Sequence, residues 1–280
     1  METRTSDQIE SLTWLTDLHL EFCSHRTRNQ LYQDINQAPG EIVVITGDLS
    51  ASPHRLAQYT ELAEQIRKPV YFVLGNHDRY GTTFASADAL VGRVTKLFSH
   101  MIRLDGSQVI PLNRSVALVG VDGWADGLGG DGPATKARIN DFYQILDFAT
   151  EPEHRVFREM KERARKYSQA LKPSLFKALK QFQTIIIATH VPPYEGAAWH
   201  EGLPSSPDYQ PFFSSPTMGN LLKAAVAEYP EKRVLVLCGH THSPGIYRHG
   251  SILVITGGAR YGYPEIAKTI HLNQLESIAT

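Results

Sequence analysis

Aspartate, asparagine and histidine recur at one kind of place in this 280-residue chain, directly after short apolar runs. LTWLT (12–16) leads into Asp17-Leu18-His19, EIVVIT (41–46) into Gly47-Asp48, and PVYFVL (69–74) into Gly75-Asn76-His77-Asp78. Farther along, TIIIAT (184–189) is followed by His190, and RVLVLC (233–238) by Gly239-His240-Thr241-His242. These side chains offer carboxylate and amide oxygens and imidazole nitrogens, with no thiolate. Such donors suit manganese, iron, zinc, nickel or cobalt ions and are unlike a structural cysteine-zinc site. The glycines before Asp48, Asn76 and His240 permit the sharp turns that would aim the side chains at a common point.

Each motif alone also has a plain structural explanation. Asp-x-His can be a turn carrying a surface histidine, Gly-Asp is a common turn, and Asn-His-Asp can cap a helix. A single buried histidine such as His190 is usually a hydrogen-bonded core residue. The pair His240 and His242 is more specific, because alternation on an extended stretch sends both rings to one face. The chemistry therefore depends on whether the strand ends meet, as they do at the carboxyl edge of open α/β sheets.

The elements that must position these ends read as follows. After the strand LTWLT, TRNQLYQDINQ (27–37) has a helical pattern, and 52–67 is a helix with Leu56, Tyr59, Leu62, Ala63 and Ile66 at helical spacing. Strand, helix, strand, helix predicts an α/β fold with a largely central sheet. SQVIPL and SVALVGV (107–121) follow as consecutive, antiparallel strands, and DGWADGLGGDGP (122–133) is a glycine-rich loop. Residues 134–181 are mostly helical, with Val156, Phe157, Met160, Ala164, Tyr167 and Leu171 recurring every three or four positions. The basic residues of 155–172 are interleaved with glutamates, which fits a solvated face of i,i+4 pairs better than a nucleic-acid surface. RVLVLC, GIYRH, SILVIT and EIAKTIHL form a second set of strands. With no linker in view, residues 1–280 read as a single domain, with a helical insertion at about 134–181 and an aromatic loop at about 190–216.

Composition removes several function classes. Hydrophobic residues are 42% and charged residues 20%, enough for a sizeable core, and the formal net charge is −1. No global field draws the chain to nucleic acid or an anionic membrane. No run of about 18 apolar residues exists, so no membrane partner is expected. The polar METRTSDQIE lacks the apolar core of a secretory signal. Cys23 and Cys238 are the only cysteines, which excludes a disulfide framework and suggests a cytoplasmic setting, with Cys238 as a small buried hydrophobe.

Taken in order, DLH (17–19), GD (47–48), GNHD (75–78), His190 in ATHVPP and GHTH (239–242) resemble the calcineurin-like metallophosphoesterase superfamily. The resemblance spans nearly the whole chain. It implies a four-layer α-β-β-α sandwich of two mixed β-sheets flanked by helices, with two divalent metal ions at the strand ends, manganese first among them. By the family pattern, Asp17, His19, Asp48 and His242 look like ligands of one ion, and Asp48, Asn76, His190 and His240 like ligands of the other, with Asp48 shared. His77 matches the catalytic histidine, which is not a ligand.

Four positive charges against two carboxylates would leave the site about two positive, suited to a phosphate ester and to polarising a bridging water towards hydroxide. His77 would then assist the leaving group, and Asp78 would either orient a histidine or cap a helix. A phosphodiester substrate is expected, a nucleotide among the candidates. The alternatives are a nuclease, a phosphomonoesterase, or a non-catalytic interaction scaffold, against which the complete set of motifs argues. Candidate substrate contacts are Arg79, Trp124, Trp199, His200, Arg260 and Tyr261, with Asp122 at the same rim. Tyr194, Trp199, His200, Tyr209, Phe212 and Phe213 would either form a stacking wall or pack the 190–216 loop onto the sheet.

Overall fold

In a computed structural model, residues 8–51 and 53–275 are described; most of METRTSDQIE and the first residue of the expected 52–67 helix lie outside that range. The chain runs β1 (Ser11–Leu15), α1 (His25–Gln37), β2 (Ile42–Thr46), α2 (Arg55–Gln65), β3 (Val70–Val73), α3 (Phe84–Leu97) and β4 (Met101–Arg103). Next come β5 (Ile110–Pro111), β6 (Val116–Gly120), α4 (Asp141–Gln144), α5 (Leu146–Ala149), α6 (Glu153–Gln181) and β7 (Thr184–Ala188). A small hairpin, β8 (Trp199–His200) and β9 (Leu203–Pro204), precedes α7 (Gln210–Phe213) and α8 (Pro216–Glu228). The chain then forms β10 (Arg233–Cys238), β11 (Gly245–His249), β12 (Ile252–Thr256) and β13 (Lys268–His271).

The apolar runs that look continuous in the sequence divide their side chains between two faces. Leu12, Trp14, Ile42, Val44 and Val73 point one way and meet Leu118, Ile186, Leu235 and Leu237 from the second set of strands. Val43, Ile45 and Phe72 point the other way, against Leu31 and Ile35 of α1, Tyr59 and Leu62 of α2, and Val91 and Val94 of α3. On the far side, Val119, Ile185, Ile187, Val234 and Val236 are covered by Leu171, Leu175 and Leu179 of α6 and by Met218 and Leu222 of α8. Period-two alternation thus builds two sheets packed face to face, each with helices on its outer side. This is the four-layer sandwich, and it replaces the single central sheet that element order alone predicts.

One sheet has the order β13-β1-β2-β3-β4 and the other β11-β12-β10-β7-β6-β5. Strands β1 to β4 are mutually parallel, as are β6, β7, β10 and β12, while β13, β5 and β11 run antiparallel at the edges. Parallel strands place all their carboxyl ends on one edge of each sheet.

Besides the hairpin and short helix within the expected 190–216 loop, three elements exceed the sequence expectation. The helix α3 starts at Thr83, whose hydroxyl accepts from Ser86 N, and buries Phe84, Ala87, Val91 and Val94. β4 follows it, and α8 buries Met218, Leu222 and Ala225 at helical spacing. Only part of the 134–181 segment is an excursion from the layers. The carboxyl half of α6 is a layer helix on the second sheet, whereas Val156, Phe157 and Met160 pack with Trp124, Phe142 and Phe212 in a separate cluster.

Asp78 neither orients a histidine nor caps a helix. Its carboxylate accepts Leu49 N at 3.0 Å, Ser50 N at 3.1 Å, Gly75 N at 2.8 Å and the Tyr59 hydroxyl at 2.7 Å. It stitches the loop after β2 to the loop after β3, and with it the backbone under Asp48 and Asn76. Asp78→Ala leaves four buried donors without an acceptor and should lower stability by about 3–5 kcal/mol, read from urea unfolding at unchanged m value. A loss below about 1 kcal/mol would mean that the loops are held by other contacts.

Candidate metal centre

The five strand ends singled out in the sequence meet along the carboxyl edges of both sheets. Three belong to β1, β2 and β3 of one sheet and two to β7 and β10 of the other. The two faces are joined by hydrogen bonds: His240 N donates to both Asp17 oxygens at 3.0 and 3.2 Å, and the His190 imidazole Nδ1 donates to Thr46 O at 2.8 Å.

The backbone does unusual work here. Asp17, His19, Asp48, His240 and His242 all have φ between 44° and 75°, and Glu201 is the only other non-glycine with positive φ among the described residues. This region is sparsely populated by residues with a Cβ, and its strain persists only where surrounding contacts enforce it. Those contacts are visible: Asp17 N donates to Gly47 O, His19 N to Asp48 O, and Gly239 N to His190 O. The expected extended His-x-His is therefore corrected. His240 and His242 lie in left-handed turns, so their rings diverge to different partners.

Two groups of side chains result. Asp17, His19, Asp48 and His242 present ligand atoms within 4.8 Å of one another. Beside them, Asn76 Oδ1 lies 3.0 Å from His240 Nδ1 and 3.1 Å from His190 Nε2, and His190 Nε2 is 3.4 Å from Asp48 Oδ2. Asp48 is common to both groups. The far nitrogens of the second group are occupied by backbone carbonyls, Thr46 O for His190 and Phe212 O at 2.8 Å for His240. This leaves His190 Nε2 and His240 Nδ1 facing each other at 3.2 Å. Inward-facing acceptors whose outer N–H groups are tied to carbonyls are the arrangement of metal-binding histidines. The donor set and its packing fit a pair of divalent cations.

Electrostatics agree. For His190, burial works against a positive charge but Asp48 outweighs it, raising the imidazole to about 10 in the chain without ions. Burial and the neighbouring His190 push His240 down to about 4. On His77 burial is again outweighed, chiefly by Asp48, so its imidazole holds a proton more tightly than usual.

His77 lines a cleft of about 420 Å³ together with Asn76, Tyr80, Ile139, Asn140, Asp141, His200, Phe213, His240, His242 and Tyr261. The Tyr80 ring lies 4.1 Å from that of His77. Asp141 accepts from Asn76 Nδ2 and from the Tyr80 hydroxyl, each at 2.7 Å, which turns Asn76 Oδ1 towards the two histidines. Sequence reasoning did not find Asp141. It lies 65 residues from Asn76, at the start of the four-residue helix α4, and no local spacing marks it.

The substrate candidates divide. His200 and Tyr261 line the cleft, and Tyr261 lies 4.6 Å from His19 and 5.0 Å from His242. Arg79 does not: it is 1% exposed, and its guanidinium is spent on Asp88, Asp122 and Phe84 O. Asp122 is buried in the same network and also accepts from Leu74 N and Arg103. Trp124 packs in the core, 4.9 Å from Phe84. Trp199 seats its ring over Gly245, where an added Cβ would come within 2.1 Å of it. Arg260 lies over the Tyr263 ring at 3.9 Å and is absent from the lining.

The aromatic segment likewise splits. Tyr194 and Phe212 are core residues, whereas Tyr209 stacks on His200 at 6.4 Å and on Phe213 at 5.5 Å, with Phe213 edge-on to His240. The glycine-rich 122–133 loop is bonded to this segment through Gly127 N to Pro211 O and Asp131 N to Pro207 O. No residue of α6 lines the cleft, and its Arg155, Arg163 and Arg165 pair with Glu151, Glu159 and Glu162.

Comparison with known proteins agrees with this centre. The calcineurin-like phosphoesterase profile matches residues 11–244. The chain belongs to that family. It is thus a hydrolase of a class with a dinuclear metal site, and its buried Asp/His cluster is in keeping with that. Among solved structures, phosphopantetheinyl hydrolase from Mycobacterium tuberculosis superposes with a TM-score of 0.60 at 14% identity, covering 92% of this chain and 96% of that one. TT1561 of Thermus thermophilus gives 0.54 at 15% identity, covering 96% of each chain. A putative 5′-nucleotidase from Staphylococcus aureus gives 0.50 at 14% identity, covering 90% of this chain and 49% of that one. At these identities the likeness is one of fold. No curated protein matches the sequence.

Two outcomes test the centre. A Cβ at Gly75 would fall 2.1 Å from Asp48 Oδ1 and 2.6 Å from His190 Nε2. Gly75→Ala should therefore weaken manganese binding by calorimetry at least about tenfold, while leaving the circular dichroism spectrum unchanged. Proton linkage supplies the second. The folded value of His190, about 10, lies above the ordinary 6.5, so in the ion-free phosphoesterase its contribution to stability is complete below 6.5 and lost as pH rises through about 10. A cation that takes Nε2 displaces that proton, so metal affinity should rise with pH across this window. Calorimetry in buffers of different ionisation enthalpy should register proton release; binding heats independent of buffer would contradict it.

Proposed function

We propose that the chain is a metal-dependent phosphodiesterase, a single domain acting in the cytoplasm with manganese as its first-choice ion. The observation that carries this reading is the convergence of inward-facing oxygen and nitrogen acceptors around the shared Asp48, beside His77 at the cleft wall. Asp17, His19, Asp48 and His242 would hold one ion, and Asp48, Asn76, His190 and His240 the other. Bound there, two divalent ions supply Lewis acidity that neutralises phosphoryl charge and lowers the pKa of a water nucleophile.

The side chains account for the remaining tasks. Asp141 holds the Asn76 amide with its oxygen inward. His77, at the cleft wall, donates a proton to the departing alkoxide. Tyr80 keeps the His77 ring in place from one side. A diester is favoured over a monoester because, among the described residues, no lysine or arginine lines the cleft while Asp141 and Glu201 do. A monoester dianion would bring extra negative charge with no lysine or arginine there to meet it. The His200, Tyr209 and Phe213 stack suits a flat ester group, a nucleobase among them.

The purified, manganese-loaded protein should hydrolyse a chromogenic aryl phosphodiester faster than the monoester of the same phenol. Absence of turnover on any mono- or diester would end this reading. Asp48→Ala should lose both ions and all activity, since the shared carboxylate holds the pair together. His77→Ala should retain both ions and lose about 10²–10⁴-fold in kcat, most severely with poor leaving groups. Metal loss in that variant would contradict the role given to His77.

A further inference from the structure

Glu21 lies just beyond the Asp17-Leu18-His19 stretch and outside the strand-end motifs. It occupies the short 3-10 turn Leu20–Phe22, which begins at His19 with φ 44°. Its side chain is 10% exposed, and neither carboxylate oxygen has a hydrogen-bond partner. Oε1 lies 3.6 Å from His19 Nδ1 and 3.9 Å from His77 Nδ1. His19 Nδ1 is itself buried without a partner. The two imidazoles stand edge to face, 4.5 Å apart, with the one carboxylate serving both. A buried carboxylate is costly unless its charge is answered, and these two ring nitrogens are its ion-pair contacts within 4 Å.

We infer that Glu21 is a positioning residue that sets the tautomer and ring orientation of His19 and His77 together. With each Nδ1–H directed at Glu21, each ring is left to act through Nε2. For His19 that atom is 3.0 Å from His242 Nε2 and 3.7 Å from Asp48 Oδ2, inside the cluster of prospective ligands. For His77, Nε2 remains for the leaving group. One carboxylate thereby couples the hold on an ion to the hold on the proton donor, as carboxylates behind metal-bound histidines do. The left-handed His19 is what allows this, since it turns the chain so that the residue two positions on returns beneath its ring. The inference rests on the phosphodiesterase reading for the role of His77, but not for the hold on His19.

The test is Glu21→Gln in the full chain, which keeps the shape and removes the charge. Calorimetry should show affinity for one manganese ion falling about 10–100-fold. At saturating manganese, kcat for an alkyl phosphodiester should fall by about tenfold or more with KM held, and the loss should be smaller for a p-nitrophenyl diester. Adding Glu21→Gln to His77→Ala should slow the reaction no further, as expected for residues acting as one unit. Glu21→Asp should lie between wild type and the glutamine variant, and it carries the same test if the glutamine variant does not fold.

Equal losses across leaving groups, additive effects in the double variant, or unchanged metal affinity would each overturn the proposal. So would a third manganese equivalent bound by wild type and lost in Glu21→Gln, because His77 would then be a ligand. Wild-type protein inactive on every ester would instead defeat the phosphodiesterase reading, with the calorimetric arm still deciding whether Glu21 holds His19.

Discussion

A buried concentration of nitrogen and oxygen atoms suited to share their electron pairs with a cation is the constraint around which this molecule is organised. His190 Nε2, His240 Nδ1 and Asn76 Oδ1 face one another at hydrogen-bonding distance, and Asp17 and Asp48 stand beside them. Left to itself, such a cluster would spread apart or take up protons, and the raised proton affinity of His190 shows that tendency. What holds it together acts from behind. Backbone carbonyls bind the outer nitrogens of the histidines, and backbone amides bind the carboxylates. The left-handed conformations at Asp17, His19, Asp48, His240 and His242 are strain sustained by these bonds.

The second structural device is the set of buried acidic residues that never face the cleft. Asp78 ties the loops after β2 and β3, and Asp122 ties β3 to β4 and β6 through Leu74, Arg79 and Arg103. Arg79 illustrates how position in sequence misleads. It follows a motif that faces the cleft, yet the short turn at His77–Arg79 sends its side chain into the interior, where two carboxylates compensate its charge. The region beside the catalytic face is therefore stiffened by ion pairs and contributes no cation to the cleft.

The cleft walls are in consequence acidic, aromatic and rich in imidazole, with no lysine or arginine among the described lining residues. Its aromatic side is built from a hairpin and a short helix in the 190–216 segment, and it is anchored by Phe212 in the core while Phe213, the next residue, faces outward. Adjacent residues on opposite sides of a helical turn explain why the wall and packing explanations for this segment both hold, for different residues.

The metal-site motifs and most strands were legible because both depend on local rules: apolar runs of strand length, and glycine before a polar side chain. The helices α3 and α8 were equally periodic, but their apolar positions are diluted by alanine and glycine. The sequence by itself determined which side chains could gather and that they sit at strand ends. Only the tertiary structure decided that His240 and His242 part company, that Asp141 and Glu21 join the site, and that Arg79 and Trp124 leave it. The physical reason is that each of these depends on side-chain direction or on contacts between segments far apart in the chain. Such contacts are set by how two sheets stack and by where a strained φ turns the backbone, and no local spacing encodes either.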